Sequence, residues 1–168
     1  FRRVLFRLVE KLPTFLYNNG SFIDTNTEDI IMANVKELLK AEENGSLSFG
    51  DYSLTQKTKL DEFSFEGDVY KVKTFQEITR LEKNGGVVYE SVPGSAVHGY
   101  KETERQIAFE TEAADDLQIT LEVEPEKEYK VFVNDTNIGK LKSSLGGKIS
   151  FSIELDAGET AKVQVVKL

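Results

Sequence analysis

The chain contains no cysteine and no tryptophan, and only one histidine, one methionine and three prolines among 168 residues. Without cysteine there are no disulfides and no thiolate metal site, so a hydrophobic core has to hold the fold. A chain of this length buries roughly two-thirds of its unfolded surface and can do so as one domain. No apolar run approaches the roughly 18 residues that a membrane helix requires. Gly85–Gly86 and Gly146–Gly147 lack the spacing of a phosphate-binding loop, and no Gly-x-Ser-x-Gly elbow occurs. Excess positive charge is missing too: the net charge is -8. Residues 1–31 are neutral, with Arg2, Arg3, Arg7 and Lys11 against Glu10, Asp24, Glu28 and Asp29. The remainder therefore carries the whole deficit. Such a body repels phosphate backbones and anionic lipid, so neither nucleic acid nor membrane is an expected partner. Arg7, Glu10 and Lys11 interrupt any signal-peptide core, and no small-residue cleavage site follows. The expected location is cytoplasmic.

What is present is amphipathic periodicity, first helical and then strand-like. Phe1, Leu5, Leu8, Val9 and Leu12 share one helical stripe that Pro13 ends. Thr25-x-x-Glu28 has the form of a capping box. After it Ile30, Ile31, Asn34, Val35, Leu38 and Leu39 recur at helical spacing, and Gly45 after Asn44 suits a helix stop. Met32 is the only methionine, which suggests residues 1–31 as an N-terminal arm, either of fusion origin or native to a processed chain, ahead of a domain at 32–168.

From Leu47 the period changes to two. Tyr70, Val72 and Thr74 alternate with polar residues, as do Ile119, Leu121 and Val123. Asn84–Gly85 is a hairpin signal between Ile78–Leu81 and Val87–Tyr89. Pro93–Gly94, Gly146–Gly147 and Asp156–Ala157–Gly158 punctuate further runs at 107–110, 129–133, 138–141, 149–155 and 163–166. Thr74–Phe75–Gln76–Glu77 also fits a capping box, but Asn84–Gly85 favours strands here. About ten short strands with a turn every 8–12 residues predict a mainly β chain. The expected form is a β-sandwich or jelly-roll-like domain preceded by one or two short N-terminal helices.

Candidate chemistry is sparse. His98 lies near Ser91 and Ser95, but a nucleophilic triad also needs an orienting acid in the right geometry. Glu90, Glu102, Glu104, Asp115 and Asp116 are each available for glycosidase-type acid–base work, and no spacing selects a pair. Glu122, Glu124, Glu126 and Glu128 recur with period two, which would line one strand face with carboxylates. That face could hold Ca²⁺ or simply be solvated, and no EF-hand spacing accompanies it, so no metal or cofactor is expected. The Asn-x-Ser/Thr sequences at Asn19, Asn44 and Asn134 read as turns. For a sugar site, Tyr52, Tyr70, Tyr89, Tyr100 and Phe132 could offer platforms, and Asn134, Asp135 and Asn137 cluster in one turn. Tyr89, Tyr100, Asn134 and Asp135 are the candidate glycan contacts.

Several blocks carry a family resemblance. They are Leu47-Ser-Phe-Gly-Asp-Tyr52, Gly67-Asp-Val-Tyr-Lys-Val-Lys-Thr-Phe75, Tyr89-Glu-Ser-Val-Pro-Gly-Ser-Ala-Val97, Ala114–Leu121, Val133-Asn-Asp with Gly139-Lys, and Gly146-Gly-Lys-Ile-Ser-Phe-Ser152. Over residues 32–168 the chain resembles a family of small acidic proteins of anaerobic Firmicutes labelled endosialidase-like. The resemblance implies glycoside hydrolysis but offers no catalytic motif to carry over. Beyond residue 31 only Arg80 and Arg105 are present, too few for the arginine cluster with which sialidases grip a carboxylate. The expected function is therefore non-catalytic and structural, through homo-oligomer formation. A carbohydrate-binding module comes second and a glycoside hydrolase third.

Overall fold

The computed structural model describes residues 37–168, which belong to one compact unit. The described part is mainly β and contains thirteen strands and no helix. They are β1 (Leu39–Ala41), β2 (Leu47–Phe49), β3 (Thr58–Phe65), β4 (Asp68–Phe75), β5 (Ile78–Lys83), β6 (Gly86–Val92) and β7 (Ser95–Glu102). Then come β8 (Gln106–Ala113), β9 (Leu117–Glu122), β10 (Glu128–Val133), β11 (Thr136–Lys142), β12 (Lys148–Ile153) and β13 (Thr160–Lys167). The expected helix at 1–12 and most of the one after Thr25 lie outside the described residues.

All pairings are antiparallel. One sheet has seven strands in the order β1-β2-β7-β8-β13-β10-β11, and the other has six in the order β12-β9-β6-β5-β4-β3. The chain runs β3 to β6 as a meander, then alternates between sheets until β13 slots between β8 and β10. Both sheets turn one face to a single core. Val72, Leu81, Tyr89, Ile119, Leu121 and Phe151 come from the six-stranded sheet. Phe49, Val97, Phe109, Val131, Val163 and Val165 come from the seven-stranded one. Period-two alternation produces this division: in β9, Leu117, Ile119 and Leu121 are buried while Gln118, Thr120 and Glu122 face outward.

Left-handed residues set the tight turns. Asn84 (φ 51°) and Gly85 (φ 88°) join β5 to β6, and Asn134 (φ 51°) and Asp135 (φ 68°) join β10 to β11. Two successive positive-φ residues match the twist of the flanking strands. The segment at Thr74–Glu77 is strand and turn rather than helix: β4 ends at Phe75 and β5 begins at Ile78.

Two expectations fail here. Leu39 is not helical; it opens β1 and pairs with Phe49 of β2. Gly45 (φ 83°) belongs to the β1–β2 turn, where its N–H donates to the Glu42 carbonyl at 3.2 Å, and does not stop a helix. The helical spacing of Leu38 and Leu39 loses to burial of Leu39, Leu47 and Phe49 in a shared core. The acidic period-two run also breaks. β9 stops at Glu122, Pro125 follows, and Glu126 adopts φ 55°, so the four carboxylates do not share a strand face.

The crossing from β6 to β7 is sterically narrow. A Cβ on Gly94 would lie 1.9 Å from the Phe75 carbonyl oxygen, whereas one on Gly86 would meet nothing closer than 3.8 Å. Gly94→Ala is expected to lower the melting temperature by several degrees, because a backbone oxygen cannot step aside. Gly86→Ala is expected to leave it unchanged or raise it slightly by restricting the unfolded chain. Thermal unfolding of the two variants side by side checks the contrast.

Candidate functional site

The two tyrosines singled out for sugar contact are core residues. Tyr89 is 0% and Tyr100 5% exposed. Tyr89 points from β6 into three aromatics of the other sheet, with ring centroids 5.2 Å from Phe49, 5.6 Å from Phe109 and 6.4 Å from Tyr100. Its hydroxyl shares a hydrogen bond with Ser95 Oγ at 2.9 Å, and Ser95 Oγ also meets Ser91 Oγ at 2.7 Å. Neither ring can stack on a sugar from solvent. A tyrosine reads ambiguously in sequence because its body is apolar and its tip polar.

Asn134 and Asp135 sit at the tip of the β10–β11 hairpin, apart from both tyrosines in the fold. Asn134 continues a ladder: its N–H donates to the Lys162 carbonyl at 2.8 Å, and its Oδ1 accepts from Lys162 N at 2.9 Å. Asp135 is exposed and meets Lys162 Nζ at 3.4 Å. These four candidates do not converge on one site.

His98 and the serines near it in sequence part company. Ser91 and Ser95 face the core, whereas His98 lies on the outer face of the seven-stranded sheet, in register with Glu110, which is in turn opposite Lys162. Gly99 (φ 68°) opens a bulge beside it, and its N–H donates to Ser48 Oγ at 3.2 Å. Ser48 Oγ donates to the Glu42 carboxylate at 2.6 Å. Two adjoining grooves of about 370 and 580 Å³ share Asn44, His98 and Gly99. Among the described residues no group of three or more His, Asp or Glu is placed to hold a metal ion.

A third groove, of about 360 Å³, lies at one end of the molecule. Ile107, Val123, Pro125, Tyr129 and Val165 give it apolar walls, and Glu102, Glu104, Glu122 and Glu124 give it carboxylates. Three of these acids face lysines: Glu124 at 2.6 Å from Lys167, Glu102 at 3.9 Å from Lys83 and Glu122 at 4.0 Å from Lys148. Arg105 is the one cation in the lining.

No protein-family model, curated protein or solved structure matches the chain.

The feature that sequence reading missed is on the outer face of the six-stranded sheet. Lys59 of β3, Lys73 of β4, Arg80 of β5 and Glu90 of β6 are cross-strand partners in one row. Each alternates with core residues of its own strand, so all four face outward. Glu90 accepts from Arg80 Nε at 2.7 Å and from Nη2 at 2.6 Å. Lys71 meets Asp61 at 3.8 Å. Lys57 Nζ stands 5.7 Å from the Phe75 ring centroid. Lys59 and Lys73 have no ion-pair partner among the described residues. Desolvation, and then the nearby Arg80, Lys57, Lys59 and Lys71, hold the Lys73 ammonium below its usual pKa. Beside this row lie the apolar Phe75 and Ile78, which pair with each other, and Val92, which is 52% exposed. The signal was present as Lys57, Lys59, Lys71, Lys73 and Arg80, but it needs the strand register to become a row.

One further acid is displaced from its ordinary state. Burial raises the pKa of Glu112 in β8, against hydrogen bonds from Tyr52 and Thr160. Tyr52 Oη donates to Glu112 Oε2 at 3.1 Å, and burial with the Glu112 charge pushes the phenol up.

Two predictions follow from these environments. Tyr100 Oη is buried without a hydrogen-bond partner among the described residues, whereas Tyr89 Oη is bonded. Tyr100→Phe is expected to leave stability unchanged or raise it, while Tyr89→Phe costs about 0.5–1.5 kcal/mol, as measured by urea unfolding. For Glu112 the folded chain holds the proton more tightly than the unfolded chain. Its contribution is thus intact below the unfolded carboxylate pKa and is lost as pH rises through the folded one. Glu112→Gln cannot ionise, so the melting temperature of the variant relative to wild type is expected to climb from pH 4 to pH 7. Melts across that range check the sign.

Proposed function

We propose that the chain is a β-sandwich protein that acts without catalysis, as a structural component assembling from copies of itself. One observation carries this proposal: the cationic row Lys59–Lys73–Arg80 beside half-buried Phe75 and Ile78 and exposed Val92 on a sheet face. Like charges directly opposite each other on neighbouring strands destabilise a sheet. An isolated chain gains nothing from that placement, and a surface that covers it does. Apolar residues bordered by charge have the make-up of an interface with a dry centre and a polar rim. A protein of net charge -8 carries acidic surface enough to provide that cover.

The groove at His98 favours a second reading, as a carbohydrate-binding module. Asn44, His98, Glu110, Lys162 and Gln164 offer donors and acceptors along a strand face, with Phe132 in register with Gln164. In that reading the sugar site has moved from Tyr89 and Tyr100 to the outer face of the seven-stranded sheet. For glycoside hydrolysis, the third reading, the described residues offer the end-groove carboxylates, three of which face lysines.

Size exclusion with light scattering over a hundredfold dilution tests the first reading. A mass several times that of the chain, falling on dilution, is the expected result. A constant monomer, together with retention on a polysaccharide panel that His98→Ala abolishes, would give the second reading its place.

A further inference from the structure

The faces of the molecule differ in charge in a way that specifies how copies would meet. On the six-stranded sheet, Lys57, Lys59, Lys71, Lys73 and Arg80 gather on and beside three neighbouring strands, against the local acids Asp61, Glu82 and Glu90, with Glu82 in register with Lys71. Strands lie about 4.8 Å apart, so the row Lys59–Lys73–Arg80 spans about 10 Å. The strip is rigid, since each residue is held in a hydrogen-bonded ladder and backed by buried Val72, Thr79 and Leu81. At one end of the sandwich Glu102, Glu104, Glu122 and Glu124 stand around an apolar floor, with three of them facing lysines of the same chain and Arg105 among the lining. Glu104 has no ion-pair partner among the described residues. One surface is a cationic strand face with Phe75, Ile78 and exposed Val92 beside it. The other is a concave apolar groove with carboxylates along it.

We infer that the Lys59–Lys73–Arg80 face of one copy seats on the Glu102–Glu124 groove of the next, in a head-to-tail contact. This rests on the self-association proposed above and adds its surfaces and polarity. The occupant is a second copy rather than a long polyanion, because a polyanion reaching past the strip meets a body whose net charge is -8. The two surfaces are different parts of one chain, so the contact is heterologous. It therefore propagates into a ring or a filament and does not stop at a two-fold dimer. Lys73 stands between Lys59 and Arg80, a placement of like charges that an anion brought by a second copy would relieve.

Charge reversal on the intact chain tests this. Lys59→Glu/Lys73→Glu removes the strip, and Glu104→Lys/Glu122→Lys reverses the groove. All four side chains face outward, and thermal melts establish that the variants fold. Lys73→Glu puts a carboxylate beside Arg80, so the strip variant is expected to melt no lower than wild type while its self-association weakens by about tenfold or more. The groove variant is expected to weaken likewise. Mixed one to one, the two variants share an acidic-on-acidic and basic-on-basic mismatch with themselves but a reversed complementary pair with each other. Light scattering should then recover assembly, with the two variants alternating through the reversed contact and the wild-type contact that each pair retains. Raising the salt from about 50 to 500 mM should weaken the wild-type assembly, since it shortens the screening length roughly threefold. Wild-type assembly that neither double variant weakens, or a mixture that does not recover, overturns the head-to-tail contact and leaves self-association standing. A wild-type monomer at both salts overturns self-association itself. A wild-type monomer that binds heparin through the strip, with binding lost in Lys59→Glu/Lys73→Glu, would put a polyanion in the place of the second copy.

Discussion

The side chain of Tyr89 joins the two halves of the structure. It leaves the six-stranded sheet and inserts among Phe49, Tyr100 and Phe109 of the seven-stranded one, meeting Phe49 and Phe109 edge to face. Such pairs add about 0.5–1.5 kcal/mol each beyond their buried area. Its hydroxyl is then held by Ser95, the first residue of β7, at the point where the chain passes from one sheet to the other. A chain of hydroxyls completes the crossing. Asp51 N–H donates to Thr74 Oγ1, Thr74 and Thr79 share a hydrogen bond at 2.8 Å, and Thr79 Oγ1 both donates to the Ser95 carbonyl and accepts from its N–H. Buried polar groups are tolerated only when paired, and here the pairing fixes how the sheets connect.

Around that centre the fold divides its liabilities. The edge strands are protected by irregularity and charge. β3 carries a bulge at Glu62 (φ 58°), and β11 carries Lys140 and Lys142 with a bulge opposite Val131–Phe132. The broad outer face of the six-stranded sheet is left with three cations in a row, with half-buried Phe75 and Ile78 and exposed Val92 beside them.

Much of the strand pattern was legible in the sequence. Alternation at Tyr70–Thr74 and Leu117–Leu121, and the Asn84–Gly85 turn, depend on rules that act within a few residues. The strands that escaped reading are those with a broken period. β3 has Asp61 and Glu62 in its middle, and β7 has a bulge at Gly99. In the sequence β1 reads as helix because two leucines fit a helical stripe. Its actual state is set by pairing with β2 and by burial of Leu39, neither of which is local. The site residues were less legible still. Tyr89 and Tyr100 are apolar enough for the core and polar enough for a ligand, and only the packing chooses between these.

The sequence by itself determined that the chain is acidic, without disulfides, mainly β and divided by left-handed turns, since composition and short-range spacing are sufficient for each of these. Tertiary structure alone decided that Lys59, Lys73 and Arg80 form one row and that Glu102 and Glu122 line one groove. Those residues are far apart along the chain, and strand register and the packing of two sheets bring them together.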